Sequence, residues 1–341
     1  MERFLRLTGA RRAQAFQQAS AETGWPAAAV EKDFWVTLVL RELFTLPAHA
    51  GHLTFKGGTS LSKAWKLIER FSEDVDLTLD REALGFGGDQ SPEEATSGKE
   101  RQRRLGRLRE ACRREVHGAL AGTLRARLAA LLPDTPRWTL EADAEDPDNQ
   151  TLVFAYPRAV SPGPADYLRP AAKLEFGGRA DPWPVASATI APIAATTLPD
   201  LFDAPDVVVR ALQPERTFWE KVMLLHEEQF RPPGKARRAR MARHYYDVWR
   251  LIEAGVAERA SADTGLFERV ARHREVYFRQ TWVDYSTLRR GGIQMLPAAE
   301  HARAWRDDYQ AMRTAMFVDE PPPFEVILDV VRGFQEAFNR G

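Results

Sequence analysis

The chain lacks several features that would each indicate a particular class of protein. It has one cysteine, Cys112, among 341 residues, which excludes an internal disulfide framework and favours a reducing compartment. Its formal net charge is zero, which excludes a uniformly basic nucleic-acid binder but leaves room for a local basic patch. No run approaches the roughly 18 apolar residues of a membrane span, and the N-terminal segment lacks the apolar core of a signal peptide. We therefore expect a cytoplasmic protein that does not enter a membrane.

Lysine is also scarce, because only 8 of the 48 basic residues are lysines. A lysine beside a motif is therefore of interest, since its compact charge is not interchangeable with that of arginine. Hydrophobic residues make up 44% of the chain and charged residues 28%, which is enough for a packed core. The length allows two domains.

Periodicity predicts helices at both ends of the chain and strands in its centre. The predicted helices cover 10–24, 28–46, 99–132, 214–229, 239–254, 263–279, 299–315 and 323–338. The predicted strands cover 53–57, 75–79, 137–142, 151–156, 171–176 and 187–193. Turn-rich segments at 143–150, 157–170 and 177–184 separate the strands, and 81–98 is predicted as a loop. From about 197 onward the pattern is helical, so we predict an α+β nucleotide-binding domain over 1–200 and a helical domain over 201–341.

The most informative stretch runs from 55 to 80. A short apolar run ends in Gly57-Gly58-Thr59-Ser60, a predicted helix extends from Leu61 to about Arg70, and Asp74-Val75-Asp76 opens a second strand. A glycine-rich turn can present backbone N–H groups to phosphate oxygens. The spacing to Lys63 is wrong for a P-loop. An ordinary strand-to-helix turn with Ser60 as N-cap is the structural alternative, and it is compatible with phosphate binding.

Asp74 and Asp76 predict a metal site. Residues at i and i+2 of a strand share a face, and two adjacent carboxylates repel each other unless a cation lies between them. The strand Lys173-Leu174-Glu175-Phe176 places Lys173 and Glu175 on one face, so Glu175 could supply a third carboxylate for Mg²⁺ or Mn²⁺. A Lys–Glu strand face that binds nothing is the alternative. Arg179 follows the strand and could reach the same site.

Two later helices carry further candidates. Lys221 borders the apolar stripe of Phe218, Val222 and Leu225, and it could reach triphosphate oxygens together with Arg216. The alternatives are a snorkelling lysine and a surface pair between Arg216 and Glu220.

On the next helix, Asp247 could orient Lys221 or an attacking hydroxyl. It could equally form an intrahelical ion pair with Arg243.

Arginine and lysine are concentrated in two segments, 99–114 and 231–243. Such runs are usually solvated helix faces, but a ridge of positive charge near a nucleotide cleft also suits an RNA backbone. No RNA-binding module signature is present.

The chain resembles the AbiEii/AbiGii family of nucleotidyltransferase toxins, which includes the MenT toxins and belongs to the polymerase β-like superfamily. The resemblance rests on residues 55–61 and 70–77, and then, in the expected order, on 173–175, 216–221 and 244–247. It spans roughly residues 30–255. The Gly/Pro/acidic loop and long arginine-rich helix at 81–132 depart from the family pattern like an insertion.

The resemblance implies a mixed sheet with flanking helices and a C-terminal helical bundle that closes the cleft. It also implies transfer of a nucleoside monophosphate from an NTP, with Mg²⁺ and release of pyrophosphate. Relatives are toxins of toxin–antitoxin or phage-defence (abortive infection) systems. Some of them modify the 3′ end of tRNA, and the antitoxin is usually a separate protein.

In this assignment Gly58, Thr59 and Ser60 bind the β- and γ-phosphates, and Gly57 belongs to the same nucleotide-binding turn. Asp74, Asp76 and Glu175 hold the metal, and Lys173, Arg216 and Lys221 bind the nucleotide. Asp247 positions Lys221 or the acceptor. Phosphorylation of Thr59 or Ser60 is one way in which an antitoxin could silence such an enzyme, because the added charge would repel the triphosphate. A transferase acting on a protein or small molecule and a catalytically idle NTP-binding regulator remain as alternatives.

Overall fold

The computed structural model describes residues 1–72, 74–132, 138–161, 169–317 and 320–341. Glu73, the first residue of the predicted strand 137–142 and half of the predicted turn 157–170 (residues 162–168) lie outside the described residues. The chain divides into two compact units. Unit 1 comprises Met1–Trp65 and Phe71–Ala211, and unit 2 comprises Lys66–Arg70 and Leu212–Gly341. The predicted domains 1–200 and 201–341 stay a prediction.

Unit 1 combines a seven-stranded sheet with helices. Its strands are β1 Leu53–Lys56, β2 Asp74–Leu79, β3 Thr139–Ala142, β4 Thr151–Ala155, β5 Ala171–Gly177, β6 Val185–Ile190 and β7 Val207–Leu212. The last residue of β7, Leu212, belongs to unit 2. Its helices are α1 Glu2–Leu5, α2 Gly9–Thr23, α3 Ala27–Leu43, α4 Gly57–Lys63, α5 Gly98–Glu115, α6 Ala121–Leu131 and α7 Ile193–Thr197.

The sheet is mixed, with the strand order β3-β4-β5-β2-β1-β7-β6. β1 runs antiparallel to β2 and parallel to β7, and β2 runs parallel to β5. β4 runs antiparallel to both of its neighbours, β3 and β5. The α+β class with a mixed sheet and flanking helices is therefore confirmed. The order places β2, which carries the paired aspartates, between β1 and β5 at the centre of the sheet.

Four local predictions are wrong. The segment after 197 was expected to be helical, but β7 lies within it and pairs with β1. Helix α4 begins at Gly57 and ends at Lys63, so Gly57–Ser60 form its first turn and Ser60 is not the N-cap. The helix does not reach Arg70, because Lys66 takes a left-handed conformation with φ of 54°. The predicted helix 99–132 is interrupted by a π turn at Val116–Leu120, where Gly118 has ψ of −105°.

The core of unit 1 lies where α3 covers the sheet. Phe34, Trp35, Leu38, Val39 and Leu43, the predicted inward face of this helix, are all fully buried. The ring of Trp35 stacks on Tyr156, with centroids 5.6 Å apart, and meets Phe154 edge-on at 6.1 Å. Burial of large aromatic rings supplies much of a domain's hydrophobic stabilisation, so this contact fixes α3 against the sheet.

In the described residues, unit 2 consists of helices joined by loops, together with the end of β7. Its helices are α8 Pro214–Gln229, α9 Arg243–Glu253, α10 Val256–Ala262, α11 Thr264–Tyr277, α12 Ala299–Met316 and α13 Phe324–Arg340. Phe218, Val222 and Leu225 of α8 are fully buried, which confirms the stripe predicted from their spacing. Within the described residues, we find no helix with the length and apolarity needed to traverse a bilayer.

Candidate active site

Gly57 and Asp76 lie close together in the candidate site of unit 1. Gly57 has φ of +77°, and a Cβ built at this position would lie 2.0 Å from Oδ2 of Asp76. Only glycine accepts both the left-handed backbone and this proximity. The antiparallel pairing of β1 with β2 places Asp76 opposite Lys56, immediately before the turn. The glycine turn and the aspartate pair, predicted to share one site, are therefore neighbours.

The hydroxyl groups of Thr59 and Ser60 are buried and already engaged. The Thr59 hydroxyl donates a hydrogen bond to the carbonyl of Asp74, and the Ser60 hydroxyl donates to the carbonyl of Gly57 over 3.0 Å. Thr59 is 5% exposed and Ser60 is fully buried. These bonds fix the first turn of α4 against β2. Phosphorylation of either hydroxyl, which stays a prediction, would require this turn to open.

Lys63 stabilises the same helix from its other end. Its ammonium group pairs with the Asp33 carboxylate of α3 and donates to the carbonyl of Ala191 over 3.1 Å. Asp33 also accepts the backbone N–H of Ile193 over 2.7 Å. Lys63 thus anchors α4 between neighbouring elements, which agrees with its spacing being wrong for a P-loop lysine.

The carboxylates of β2 and β5 are aligned by strand pairing. Asp76 lies opposite Glu175, and Asp74 lies opposite Lys173. Because side chains alternate along a strand, Asp74 and Asp76 share the face on which Lys173 and Glu175 stand. The apolar neighbours Val75 and Leu174 are fully buried on the opposite face. The pairing of β2 with β5 therefore places three carboxylates on one face of the sheet.

The electrostatics of this face show an accumulation of negative charge. Partial burial raises the pKa of Glu175, and the negative charges of Asp76 and Asp74 raise it further. Lys173 opposes this effect, with its Nζ 3.1 Å from Oε1 of Glu175 and 3.2 Å from Oδ2 of Asp143. Lys56 lies 3.7 Å from Oδ1 of Asp76. Lysine ammonium groups are therefore the counter-ions of this cluster.

The residues fit a hard divalent cation in donor type and charge, since Mg²⁺ and Mn²⁺ prefer carboxylate oxygens. Across the residues that the structure describes, however, no three acidic, histidine or cysteine side chains stand as a ready metal-ligand group. Asp76 and Glu175 are 28% and 38% exposed, so solvent reaches both carboxylates. A cation would bind here by displacing Lys56 and Lys173 from the oxygens that they now neutralise.

Arg179, considered for the same site, has another partner. Its guanidinium lies 3.1 Å from the Asp148 carboxylate, which Arg109 also approaches at 3.5 Å. Arg179 therefore ties the end of β5 to the loop before β4.

The candidate residues of unit 2 form a separate buried cluster around Asp247. Arg70 binds this carboxylate in a bidentate manner, with Nε 2.7 Å from Oδ1 and Nη2 2.8 Å from Oδ2. Lys221 Nζ lies 2.8 Å from Oδ2. Arg70 and Asp247 are 2% and 0% exposed. Asp247 therefore holds Lys221, as one of the predictions required, whereas the alternative pairing with Arg243 is not the one formed.

The cluster around Asp247 holds more positive than negative charge. Burial alone would raise the pKa of Asp247, but the cations Arg70 and Lys221 lower it well below its usual range. Burial lowers the pKa of Lys221, and the positive charges of Arg70 and Arg243 add to that effect against Asp247. Burial and the same cations also lower the pKa of His244, which is therefore neutral near pH 7. The single carboxylate of Asp247 thus neutralises two cations in a buried environment.

Arg216, assigned to the nucleotide, is fully buried. Its Nε lies 3.1 Å from Glu220 Oε1, and its Nη2 lies 3.2 Å from Nδ1 of His273. The pair with Glu220 expected from their spacing is present, but it is buried on the Arg216 side. Contact of Arg216 with phosphate stays a prediction.

Arg70 is the residue that the sequence assignment missed. It begins the stretch 70–77 on which the family resemblance rests, but its partner Asp247 is 177 residues away. Arg250 of α9 fixes the segment that leads to Arg70, because it donates to the carbonyl of Leu67 over 3.2 Å and pairs with Glu69 at 2.9 Å.

Asp247→Asn is expected to destabilise unit 2. The change leaves two buried cations without their carboxylate, and breaking a buried ion pair costs about 3–5 kcal/mol. Urea unfolding followed by tryptophan fluorescence would measure the loss. The exposed pair of Asp329 with Arg332 offers the control Asp329→Asn, which should change stability by less than about 0.5 kcal/mol. Equal stability of the two variants would show that the Arg70–Asp247–Lys221 cluster does not contribute to the free energy of unfolding.

Comparison with known families supplies the observation that decides the class of protein. A family model described as nucleotidyl transferase AbiEii toxin, type IV toxin–antitoxin system, matches residues 38–340. The chain belongs to the AbiEii family. A search of curated proteins finds no match. Among solved structures, the chain is similar to MenT4, a nucleotidyltransferase toxin from Mycobacterium tuberculosis H37Rv, with 17% identity and a TM-score of 0.41. That alignment covers 97% of this chain and 99% of MenT4.

As an AbiEii protein, the chain is a nucleotidyltransferase enzyme and a toxin of the type IV toxin–antitoxin class. Membership implies an NTP substrate and an antitoxin partner. Enzymes of this reaction class generally require a divalent metal ion. The resemblance inferred from the motifs of 55–77 is thereby confirmed.

Proposed function

We propose that this AbiEii toxin transfers a nucleoside monophosphate from an NTP to the 3′ end of an RNA acceptor, with tRNA as the expected substrate. The close approach of the Asp76 carboxylate to Gly57 supports the proposal most strongly. It juxtaposes a glycine turn suited to phosphate oxygens with a carboxylate cluster suited to a divalent cation. The reaction forms one bond, from the acceptor hydroxyl to the α-phosphorus, and breaks the bond from the α-phosphorus to pyrophosphate.

The proposal assigns one role in this reaction to each of the candidate residues of unit 1. The backbone N–H groups at the start of α4, which a helix leaves without intrahelical partners, bind the β- and γ-phosphates near Gly58. Asp74, Asp76 and Glu175 would hold Mg²⁺. When bound, that ion neutralises phosphate charge and lowers the pKa of an acceptor hydroxyl. Before the metal binds, Lys173 is the counter-ion of Glu175 and limits repulsion among the acids.

The groups of unit 2 supply positive charge. Lys221 compensates the charge of the triphosphate, and Asp247 fixes the position of its ammonium group. Arg70 allows Asp247 to stay ionised although it is buried, because its bidentate bonds occupy both carboxylate oxygens. These roles of Lys221, Asp247 and Arg70 are supported by the charges of the three side chains and by the hydrogen bonds among them.

The acceptor is tested by following label from α-³²P-labelled NTPs. Each of the four NTPs is incubated with the toxin and with deacylated bulk tRNA, cell protein or no acceptor. We expect label in the 3′-terminal nucleotide of tRNA. Label in protein would instead establish a protein-modifying transferase, and no transfer with retained NTP binding would establish an idle regulator.

A further inference from the structure

The two arginine-rich segments of the sequence lie in different structural settings, a helix and a loop. In α5, acidic side chains lie close to several of the arginines. Glu100 pairs with both Arg103 and Arg104, each at 2.8 Å, and Glu110 pairs with Arg113 at 2.8 Å. Much of the positive charge of this helix is therefore compensated locally, as on a solvated helix face.

The second segment is the basic loop, residues 230–242, between α8 and α9 of unit 2. Asp308 of α12 accepts the backbone N–H groups of Arg240 and Ala242 over 2.6 and 2.7 Å. Arg237 places its guanidinium 3.8 Å from the ring centroid of Trp305. Carboxylate bonds to the backbone and a cation–π contact therefore give the loop a defined conformation.

The basic loop forms one wall of a cavity of about 360 Å³, which falls within the roughly 300–1,000 Å³ of ordinary ligand pockets. Its lining includes four cationic residues, one histidine and one acid, namely Arg231, Lys235, Arg237, Arg238, His301 and Asp308. The charged side chains that line the pocket are therefore mostly cationic.

The acids near this cavity are already engaged. Glu228 pairs with Arg231 and lies 3.4 Å from Arg237, and both oxygens of Asp308 accept backbone N–H groups. Among the residues that the structure describes, Lys235 and Arg238 have no acidic side chain within salt-bridge distance. Lys235 Nζ instead lies 3.5 Å from the ring centroid of Trp282. Two exposed cations are therefore left to attract an external anion.

We propose that this pocket binds the phosphate backbone of the acceptor RNA. The inference rests on the proposed function, because it supplies that reaction with a binding site for its acceptor on unit 2. Arginine binds phosphate oxygens with its planar donor fork, and exposed cations release counter-ions when they meet a polyanion. The rings of Trp282 and Trp305 pre-position Lys235 and Arg237, which lowers the entropic cost of ordering them.

The test compares two charge-reversal double variants of the full chain. Lys235→Glu with Arg238→Glu alters the pocket, and Arg103→Glu with Arg113→Glu makes the same change of net charge in α5. Binding of 5′-labelled deacylated bulk tRNA is measured by anisotropy at several salt concentrations. NTP binding and transfer kinetics are measured in parallel.

We expect the pocket variant to bind tRNA at least about tenfold more weakly, with the salt slope reduced by roughly 1.4–1.8 because two phosphate contacts are lost. Its KM for tRNA should rise while kcat at saturating tRNA and NTP binding stay unchanged, and the α5 variant should bind tRNA like the wild type. Equal weakening in both variants, or an unchanged salt slope in the pocket variant, would overturn the proposal. So would intact tRNA binding with lost binding of the antitoxin, which would assign the pocket to a protein. If the wild type failed to label tRNA in the transfer assay, the proposed acceptor would be refuted. That result is distinct from failure of the pocket proposal, which is measured by tRNA binding.

Discussion

Asp76→Asn should lower the rate of nucleotidyl transfer by about 10³-fold, the loss typical of removing one key electrostatic group from an active site. Asparagine keeps the shape of the side chain but removes the charge that faces Glu175 and Lys56. The carboxylate is only partly buried, so the fold should tolerate the change. Steady-state transfer of α-³²P label into tRNA, normalised to folded protein, measures the effect.

The control for this variant is Asp80→Asn, just beyond the end of the same strand. Asp80 accepts the backbone N–H of Glu82 over 3.0 Å in a local turn, and we place it outside the candidate site. It should retain wild-type transfer. Full activity of Asp76→Asn, with unfolding curves unchanged in both variants, would remove Asp76 from the mechanism.

Gly57→Ala should also abolish most activity, for a reason of shape alone. The new methyl carbon would lie 2.0 Å from Oδ2 of Asp76, on a backbone with φ of +77°. The carboxylate or the turn must therefore move by about 1 Å or more, and a misplacement of that size in an active site costs on the order of 100-fold in rate. We expect kcat to fall with little change in the binding of tRNA.

Gly106→Ala is the matched control. Gly106 lies within α5, and a Cβ there would meet no atom within 4 Å. Because alanine is favoured over glycine in a helix by about 1 kcal/mol, this variant should be as active as the wild type and slightly more stable. If Gly57→Ala retained activity within a few-fold of Gly106→Ala, the close approach of Gly57 to the Asp76 carboxylate would not be needed for catalysis.

The sequence predicted the central part of unit 1 well because its evidence was local. The alternation of Lys173-Leu174-Glu175-Phe176 defined the polar face of β5, and the pairing of β2 with β5 then brought Glu175 opposite Asp76. Period-two alternation determines which residues share a face, but only the register of neighbouring strands determines which of them meet. The three-carboxylate hypothesis depended on that register.

Errors arose where a local pattern was ambiguous or where a partner lay far away in the chain. Val207–Leu212 is a short apolar run next to long helices, and such a run does not distinguish a buried strand from a helix. The predicted helix through Arg70 overlooked the left-handed turn at Lys66, which no propensity anticipates. The partner of Arg70 became apparent only in the structure, since no sequence spacing relates it to Asp247.

The pairing of lysines with the carboxylates could not be predicted from spacing either. Lys173 was assigned to the nucleotide, but in the structure its ammonium group lies between Glu175 and Asp143. Long side chains choose partners across strands and loops according to local charge. Whether Lys173 transfers to phosphate when an NTP binds stays a prediction.

The most direct test of the account is a paired transfer experiment with α-³²P- and γ-³²P-labelled NTP, deacylated bulk tRNA and the wild-type protein. The carboxylate face beside Gly57 is predicted to catalyse attack on the α-phosphorus, so α-label should enter the RNA in step with pyrophosphate release while γ-label stays in pyrophosphate. Incorporation of γ-label into the acceptor, or release of γ-label as free phosphate without incorporation of α-label, would contradict nucleotidyl transfer at this site.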